Sequence, residues 1–119
     1  TFIYSDFSQN NFKINIEKLE KILINSSCQC GRSNIIKLAV CKNLDNFIKE
    51  NEDIYFLDFS EISIDNKKDE IKTLVIGCEG GFSTNERSKF NKQNVIGFNS
   101  SLILRSETAI ICAGAKIIL

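Results

Sequence analysis

Apolar residues recur along the chain with two spacings, and the spacings mark out its elements. Phe2-Ile3-Tyr4, Ile35-Ile36-Lys37-Leu38-Ala39-Val40, Ile54-Tyr55-Phe56-Leu57-Asp58-Phe59, Thr73-Leu74-Val75-Ile76 and Val95-Ile96-Gly97-Phe98 are short, nearly continuous apolar runs. Rich in β-branched and aromatic side chains and too short for helices, they read as strands. The run over 54–59 is apolar at almost every position, which predicts a strand covered on both faces of a sheet. Between 14 and 27 the period changes: Ile16, Leu19, Ile22 and Leu23 share one helical face, with Glu17, Lys18, Glu20 and Lys21 opposite. Leu44, Phe47 and Ile48 predict a short helix over 44–49 and residues 106–119 a last one, while 65–70, with Lys67 and Lys68, read as a solvated loop. Strands alternating with helices, undivided by a linker or a repeat, predict one α/β domain over 1–119 with a mostly parallel sheet and flanking helices.

Residues 73–109 hold most of the functional information. The run Thr73-Leu74-Val75-Ile76 stops at Gly77 and passes through Glu79-Gly80-Gly81, glycines that let the backbone turn sharply and approach a ligand closely. Ser83 and Glu86 have capping-box spacing, so a helix begins there. Val95-Ile96-Gly97-Phe98 opens a second unit of the same kind, leading through Asn99-Ser100-Ser101 to Leu102-Ile103-Leu104-Arg105-Ser106-Glu107-Thr108-Ala109. Two strand, loop and helix units in succession bring both loops to one edge of a parallel sheet, where α/β proteins bind ligands.

The glycine loop is of neither common phosphate-binding kind. Glu79 stands in the third position of Gly77-Cys78-Glu79-Gly80-Gly81, so there is no G-x-G-x-x-G, and no Lys-Ser or Lys-Thr follows as in a P-loop. A carboxylate at that point repels phosphate, which disfavours dinucleotides and triphosphates.

These residues also carry a resemblance. Ile76-Gly77-Cys78-Glu79-Gly80-Gly81-Phe82, paired with Leu102-Ile103-Leu104-Arg105-Ser106-Glu107-Thr108-Ala109, resembles the signature of the SPOUT (α/β-knot) methyltransferases that methylate uridine N3 in small-subunit ribosomal RNA. Upstream, Gln29-Cys30-Gly31-Arg32-Ser33 is similar to a helix end in the same family. The resemblance implies a C-terminal trefoil knot, a homodimer, S-adenosylmethionine as methyl donor and 16S ribosomal RNA of the small subunit as partner. It implies cofactor contacts from Leu57, Ile76, Gly77, Glu79, Gly80, Gly81, Phe98, Leu102, Ile103 and Leu104. For Gln29 and Arg32 it implies an RNA-facing position; Arg32 equally suits the terminal carbonyls of the preceding helix. Cys78 replaces the family's usual proline, and Ser100 and Leu102 stand where a glycine and a basic residue generally precede Ile-Leu-Arg.

S-adenosylmethionine suits a phosphate-averse pocket, being free of phosphate and positively charged at sulfur. Methyl transfer needs nucleophile, methyl carbon and sulfur in line, so positioning supplies much of the rate. Neutral uridine carries a proton on N3, so its methylation needs that proton removed or the resulting anion stabilised. Arg105, fixed in charge, is the candidate for stabilising the anion or positioning a phosphate. Glu107 is the candidate to orient Arg105 or act as base, and Glu79 is a second candidate base; taken alone, Glu107 is also a favourable first-turn carboxylate. A non-catalytic RNA-binding or assembly module of the same fold, or a knot-fold enzyme acting on transfer RNA, is the competing reading.

Composition changes this picture little. At 119 residues, 43% hydrophobic and 25% charged, the chain can bury one core, and its apolar runs are too short to span a bilayer, so a cytoplasmic protein is expected. It contains no methionine, and Thr1 leads directly into a strand-like run, so it reads as the C-terminal part of a longer polypeptide. The resemblance implies that an N-terminal RNA-binding barrel and the first strand and helix of the methyltransferase domain precede it. Five cysteines and no histidine, with Cys28 and Cys30 spaced C-x-C, predict free thiols and no metal site. Net charge is zero, but residues 1–82 hold ten Lys/Arg against thirteen Asp/Glu, and 83–119 five against two, giving −3 and +3. That asymmetry fits either a nucleic-acid face or ordinary solvated helices. The small residues Ala109, Cys112, Ala113, Gly114 and Ala115 predict close packing of the last helix.

Overall fold

The computed structural model describes residues 1–9 and 13–119. Its centre is a three-stranded parallel sheet, β3 (Ile54–Leu57) flanked by β4 (Thr73–Ile76) and β5 (Val95–Ile96) in the order β4-β3-β5. A smaller parallel pair joins β1 (Phe2–Ile3) to β2 (Val40–Cys41). The helices are α1 (Ile16–Gln29), α2 (Leu44–Glu50), the single turn α3 (Thr84–Arg87) and α4 (Ser106–Ile118). The α/β class with parallel pairing is therefore as read from the sequence, but divided between two sheets.

Period-two alternation explains how β3 serves two cores. Ile54 and Phe56 point to one face, where they join Leu44, Val75, Phe82 and Phe90; Phe56 and Phe90 stack with ring centroids 3.8 Å apart, and Phe82 meets both edge-on. Tyr55 points to the other face, with Ile64, Ile96 and Ala113. Each fully buried side chain of this size contributes about 1.5–3 kcal/mol, so β3 is the best-anchored strand. Ala113 of α4 lies in the second core, so the small residues there do permit close packing. Gly114 is different: a methyl group at its Cα would meet nothing within 4 Å, so close approach does not require it.

Several predicted bounds shift. The run over 35–40 forms a strand only from Val40, because Ile35 and Ile36 lie exposed. The 54–59 run leaves the sheet after Leu57. Helix α1 runs two residues further than read, ending in a motif that satisfies its last carbonyls: Gly31 has φ 67°, its N–H donates to Cys28 O at 3.4 Å, and Arg32 N–H donates to Ser27 O at 2.9 Å. Its apolar face is only partly covered: no side chain is fully buried, and Ile22 is exposed. The loop read as solvated begins in a 3-10 turn, Ile64–Asn66, whose first residue is wholly buried, and Glu70 accepts a 3.0 Å hydrogen bond from the Tyr55 hydroxyl.

After β3 the chain stays against β5. Asp58 N–H donates to Ile96 O at 3.0 Å, Ser60 Oγ to Val95 O at 2.8 Å, Gly97 N–H to Ile62 O and Ile64 N–H to Gly97 O, both at 2.9 Å. Gly97 is the point of closest passage, with no room for a side chain between it and the backbone of residues 58–60.

Candidate functional site

The three strands of the central sheet end on the same side, and the segments leaving them enclose a cavity of about 390 Å³. That volume lies in the range of small-molecule pockets, about 300–1,000 Å³. From the first bend come Ile76, Gly77, Glu79, Gly80 and Gly81; from the second, Phe98, Leu102, Ile103 and Leu104; and from the end of β3, Leu57. All ten residues expected to touch the cofactor thus line one cavity.

The glycine bend is built tightly. Gly81 has φ 70°, a conformation side chains disfavour, and donates from N–H to Cys78 O at 2.8 Å. A methyl group on Gly77 would stand 3.2 Å from backbone atoms of Gly81, and one on Gly80 would stand 3.0 Å from Phe7 Cβ. The N-terminal segment therefore backs the bend, and Ser5 Oγ approaches Cys78 Sγ at 3.7 Å. Beyond the bend the expected capping box is present: Ser83 Oγ accepts from Glu86 N–H at 3.1 Å, and Glu86 Oε1 accepts from Ser83 N–H at 2.9 Å. Buried Glu86 also accepts from Asp6 N–H at 3.4 Å, and Ser83 Oγ hydrogen-bonds the Asp6 carboxylate.

The charged residues lining the cavity are Asp58, Glu79 and Arg87. Arg87 grips Asp58 with two hydrogen bonds, Nε to Oδ2 at 2.7 Å and Nη2 to Oδ1 at 3.1 Å, a bidentate pair that ties the exit of β3 to the helix after the glycine bend. This contact and the Asp58 carboxylate hold the Arg87 pKa above its ordinary value, burial opposing them. With its one cation committed to Asp58 and Glu79 on the wall, the cavity suits a positively charged ligand better than a phosphate. Leu57, Ile76, Phe98 and Leu104 offer apolar contact for a ring, and the glycines expose backbone groups to hydrogen-bond it. This donor set fits S-adenosylmethionine.

The remaining predicted residues lie outside the lining. Arg105 is the residue before α4, with φ −63° and ψ 152°, and its carbonyl accepts from Ala109 N–H at 2.8 Å. Glu107 follows in the first turn, but no ion pair joins it to Arg105 among the described residues; Ser106 Oγ donates to Glu107 Oε2 at 3.5 Å instead. The orienting role expected of Glu107 thus has no contact in this structure, because the extended N-cap conformation of Arg105 gives way directly to the helix. Gln29 and Arg32 sit at the end of α1 and do not line the cavity.

Sequence reasoning missed Asp58, Phe59, Ser60 and Arg87. Asp58 and Phe59 were absorbed into the strand and Ser60 was passed over, although strand ends at the carboxyl edge are where ligands bind. Arg87 lies 29 positions from Asp58, a separation at which no sequence pattern announces a pair. Among the described residues no group of three or more His, Cys, Asp or Glu could hold a metal ion, and no helix is long and apolar enough to cross a membrane. All five cysteines are free thiols.

Comparison with known proteins agrees with the reading of the motifs. The family model described as RNA methyltransferase domain matches residues 1–118. A Helicobacter pylori protein named ribosomal RNA small subunit methyltransferase E is 40% identical over 112 residues, covering 92% of this chain and 50% of that protein. A protein of the same name from Buchnera aphidicola is 32% identical over 110 residues, covering 87% of this chain and 44% of its own. Among solved structures, a Legionella pneumophila protein described as a methyltransferase, with S-adenosylmethionine bound, superposes with a TM-score of 0.72 at 27% identity, covering 96% of this chain and 52% of that one. The chain spans about half the length of the curated relatives it matches.

Proposed function

Because this chain belongs to the RNA methyltransferase domain family, we propose that it transfers a methyl group from S-adenosylmethionine to N3 of a uridine in 16S ribosomal RNA of the small subunit. One observation carries the reading: two backbone bends and the end of β3, far apart in sequence, converge on a single cavity whose charge balance suits a sulfonium and not a phosphate.

When bound, S-adenosylmethionine supplies an activated methyl group on a positively charged sulfur. The chain's own residues position the reactants. Gly77, Gly80 and Gly81 bring backbone amides and carbonyls close to the cofactor, Leu57, Ile76, Phe98 and Leu104 hold its ring, and Glu79 faces its positive charge. Arg105 stabilises the uridine anion as the N3 proton leaves, or grips a neighbouring phosphate. Glu79 or Glu107 accepts that proton, and Gln29 and Arg32 face the RNA.

The same reading includes a trefoil knot at the C-terminal end of the domain. It includes a homodimer in the cytoplasm. Leu102 and Ile103, which line the cavity, and Ile110, Ile111 and Ile118 on α4 are exposed apolar side chains that a second copy would cover.

Calorimetric titration with S-adenosylmethionine tests the core of the proposal, and a folded chain that binds none defeats it. Methylation of small subunits by wild type and by Arg105→Ala tests catalysis: loss of methyl transfer with RNA binding kept is expected. RNA binding without turnover in the wild type marks a non-catalytic module, and transfer to transfer RNA in place of ribosomal RNA marks a different substrate.

A further inference from the structure

A second concavity of about 440 Å³ adjoins the first, and Asp58, Phe59, Ser60 and Arg87 line both. Phe90, Lys92 and Val95 complete it. We propose that this concavity seats a single-stranded RNA nucleotide next to the one being methylated, with Phe59 as its stacking platform and Lys92 as its phosphate contact. The inference rests on the RNA-methylating reading above and locates where the strand lies on this chain.

Phe59 carries the argument first. It is a phenylalanine left 71% exposed, at the seam of the two concavities, whereas Phe56, Phe82 and Phe90 are buried in the core. An uncovered aromatic face beside polar neighbours suits a nucleobase, since every base offers a π-face for stacking.

Charge carries it further. The excess of cations after residue 82 is mostly spent inside the protein: Arg87 pairs with Asp58, Lys89 with Asp45 and Lys116 with Asp65. Among the described residues, no ion pair engages Lys92 or Arg105. One lines the second concavity; the other stands where the second bend enters α4. Lys92 and the Phe59 ring therefore share a concavity that adjoins the proposed methyl-donor cavity, which is where the nucleotide beside a target base must run.

The test is equilibrium titration of a fluorescent, uridine-containing single-stranded RNA over a salt series, without methyl donor. It compares wild type, Phe59→Ala, Phe59→Tyr, Lys92→Ala and, as a control outside both concavities, Lys68→Ala. Phe59→Ala should weaken binding roughly five- to 150-fold, and Phe59→Tyr should keep most of it. Lys92→Ala should lower the slope of log affinity against log salt by about 0.7, a change Lys68→Ala should not produce. Wild-type RNA affinity and slope matched by both Phe59→Ala and Lys92→Ala would overturn the inference and leave the methyl-transfer reading standing. So would a loss of self-association in those variants with RNA affinity intact, because a second copy would then own the concavity. The methyl-transfer reading fails separately, if the wild type binds no S-adenosylmethionine.

Discussion

Replacing Gly97 by alanine puts a methyl group where the structure has only backbone. The new carbon would stand 2.9 Å from Asp58 O, 3.0 Å from Ser60 O and 3.1 Å from Ser60 N. Carbon contacts relax near 3.5 Å, so the 58–60 and 95–97 segments must part by roughly half an ångström, and no side-chain rotation helps. Overpacking of this kind costs about 1–3 kcal/mol. Parting also stretches the hydrogen bonds Gly97 makes to Ile62 and Ile64 and that between Asp58 N–H and Ile96 O, each worth about 0.5–1.5 kcal/mol when intact. A loss of about 2–4 kcal/mol follows, or about 8–16 °C in Tm at roughly 4 °C per kcal/mol for a chain of this length. Since Gly97 also lines the cavity, affinity for S-adenosylmethionine should fall with it. Gly114→Ala is the matched contrast: its methyl group meets nothing within 4 Å, and in a helix interior it should stabilise by about 0.5–1 kcal/mol. Calorimetric melting of the three proteins decides the matter. A Gly97→Ala protein melting within about 2 °C of wild type would refute the tight crossing.

Other perturbations probe the core, the ion pair and the pH response. Phe90→Ala removes a ring stacked on Phe56 and should cost about 3–5 kcal/mol, read as a lower denaturant midpoint at unchanged slope. Asp58→Asn should cost about 1 kcal/mol, a modest figure because the Arg87 side chain is 47% exposed, and the difference from wild type should shrink in about 1 M salt. The hydrogen bond from Lys116 holds the Asp65 carboxyl below its ordinary pKa, and those from Tyr55 and Lys67 do the same for Glu70. Stability from both is complete above the ordinary carboxylate range and is lost as pH falls through it, below about pH 4.5; Lys116→Met should flatten that acid limb of a Tm-against-pH curve. Burial, with Glu70 nearby, raises the Tyr55 phenol, so its contribution is complete below about pH 10 and disappears at higher pH; Tyr55→Phe should abolish that alkaline slope.

Local chemistry was legible where it acts over a few residues. Ser83 and Glu86 announced their capping box, and the β-branched run at 73–76 announced β4 with its bounds intact. Both bends were legible because a strand followed by glycines or small polar residues has few other uses, and the ten residues assigned to them and to Leu57 do share a cavity. What stayed hidden depends on partners distant in sequence. Ile35 and Ile36 look like strand residues, yet no neighbour pairs with them, so propensity had nothing to stabilise. Asp58 looked like one polar position in an apolar strand; only its bond to Arg87 shows that it caps the sheet edge and not the core. Gly97 was read only as one position of the apolar run 95–98, while the fold needs it for the passage of another segment.

The segment that backs the glycine bend has a bearing on how the molecule is made. Ser5, Asp6 and Phe7 meet Cys78, Glu86, Ser83 and Gly80, partners 73 to 80 positions later in the chain. During translation these residues leave the exit tunnel before the partners they rest on, and Phe7 waits for Gly80 to be made. Contacts of such long range form slowly and leave a growing chain open to aggregation. The cavity is therefore completed only once residues 98–104 have been made, well after the segment at 5–7 that backs its glycine bend.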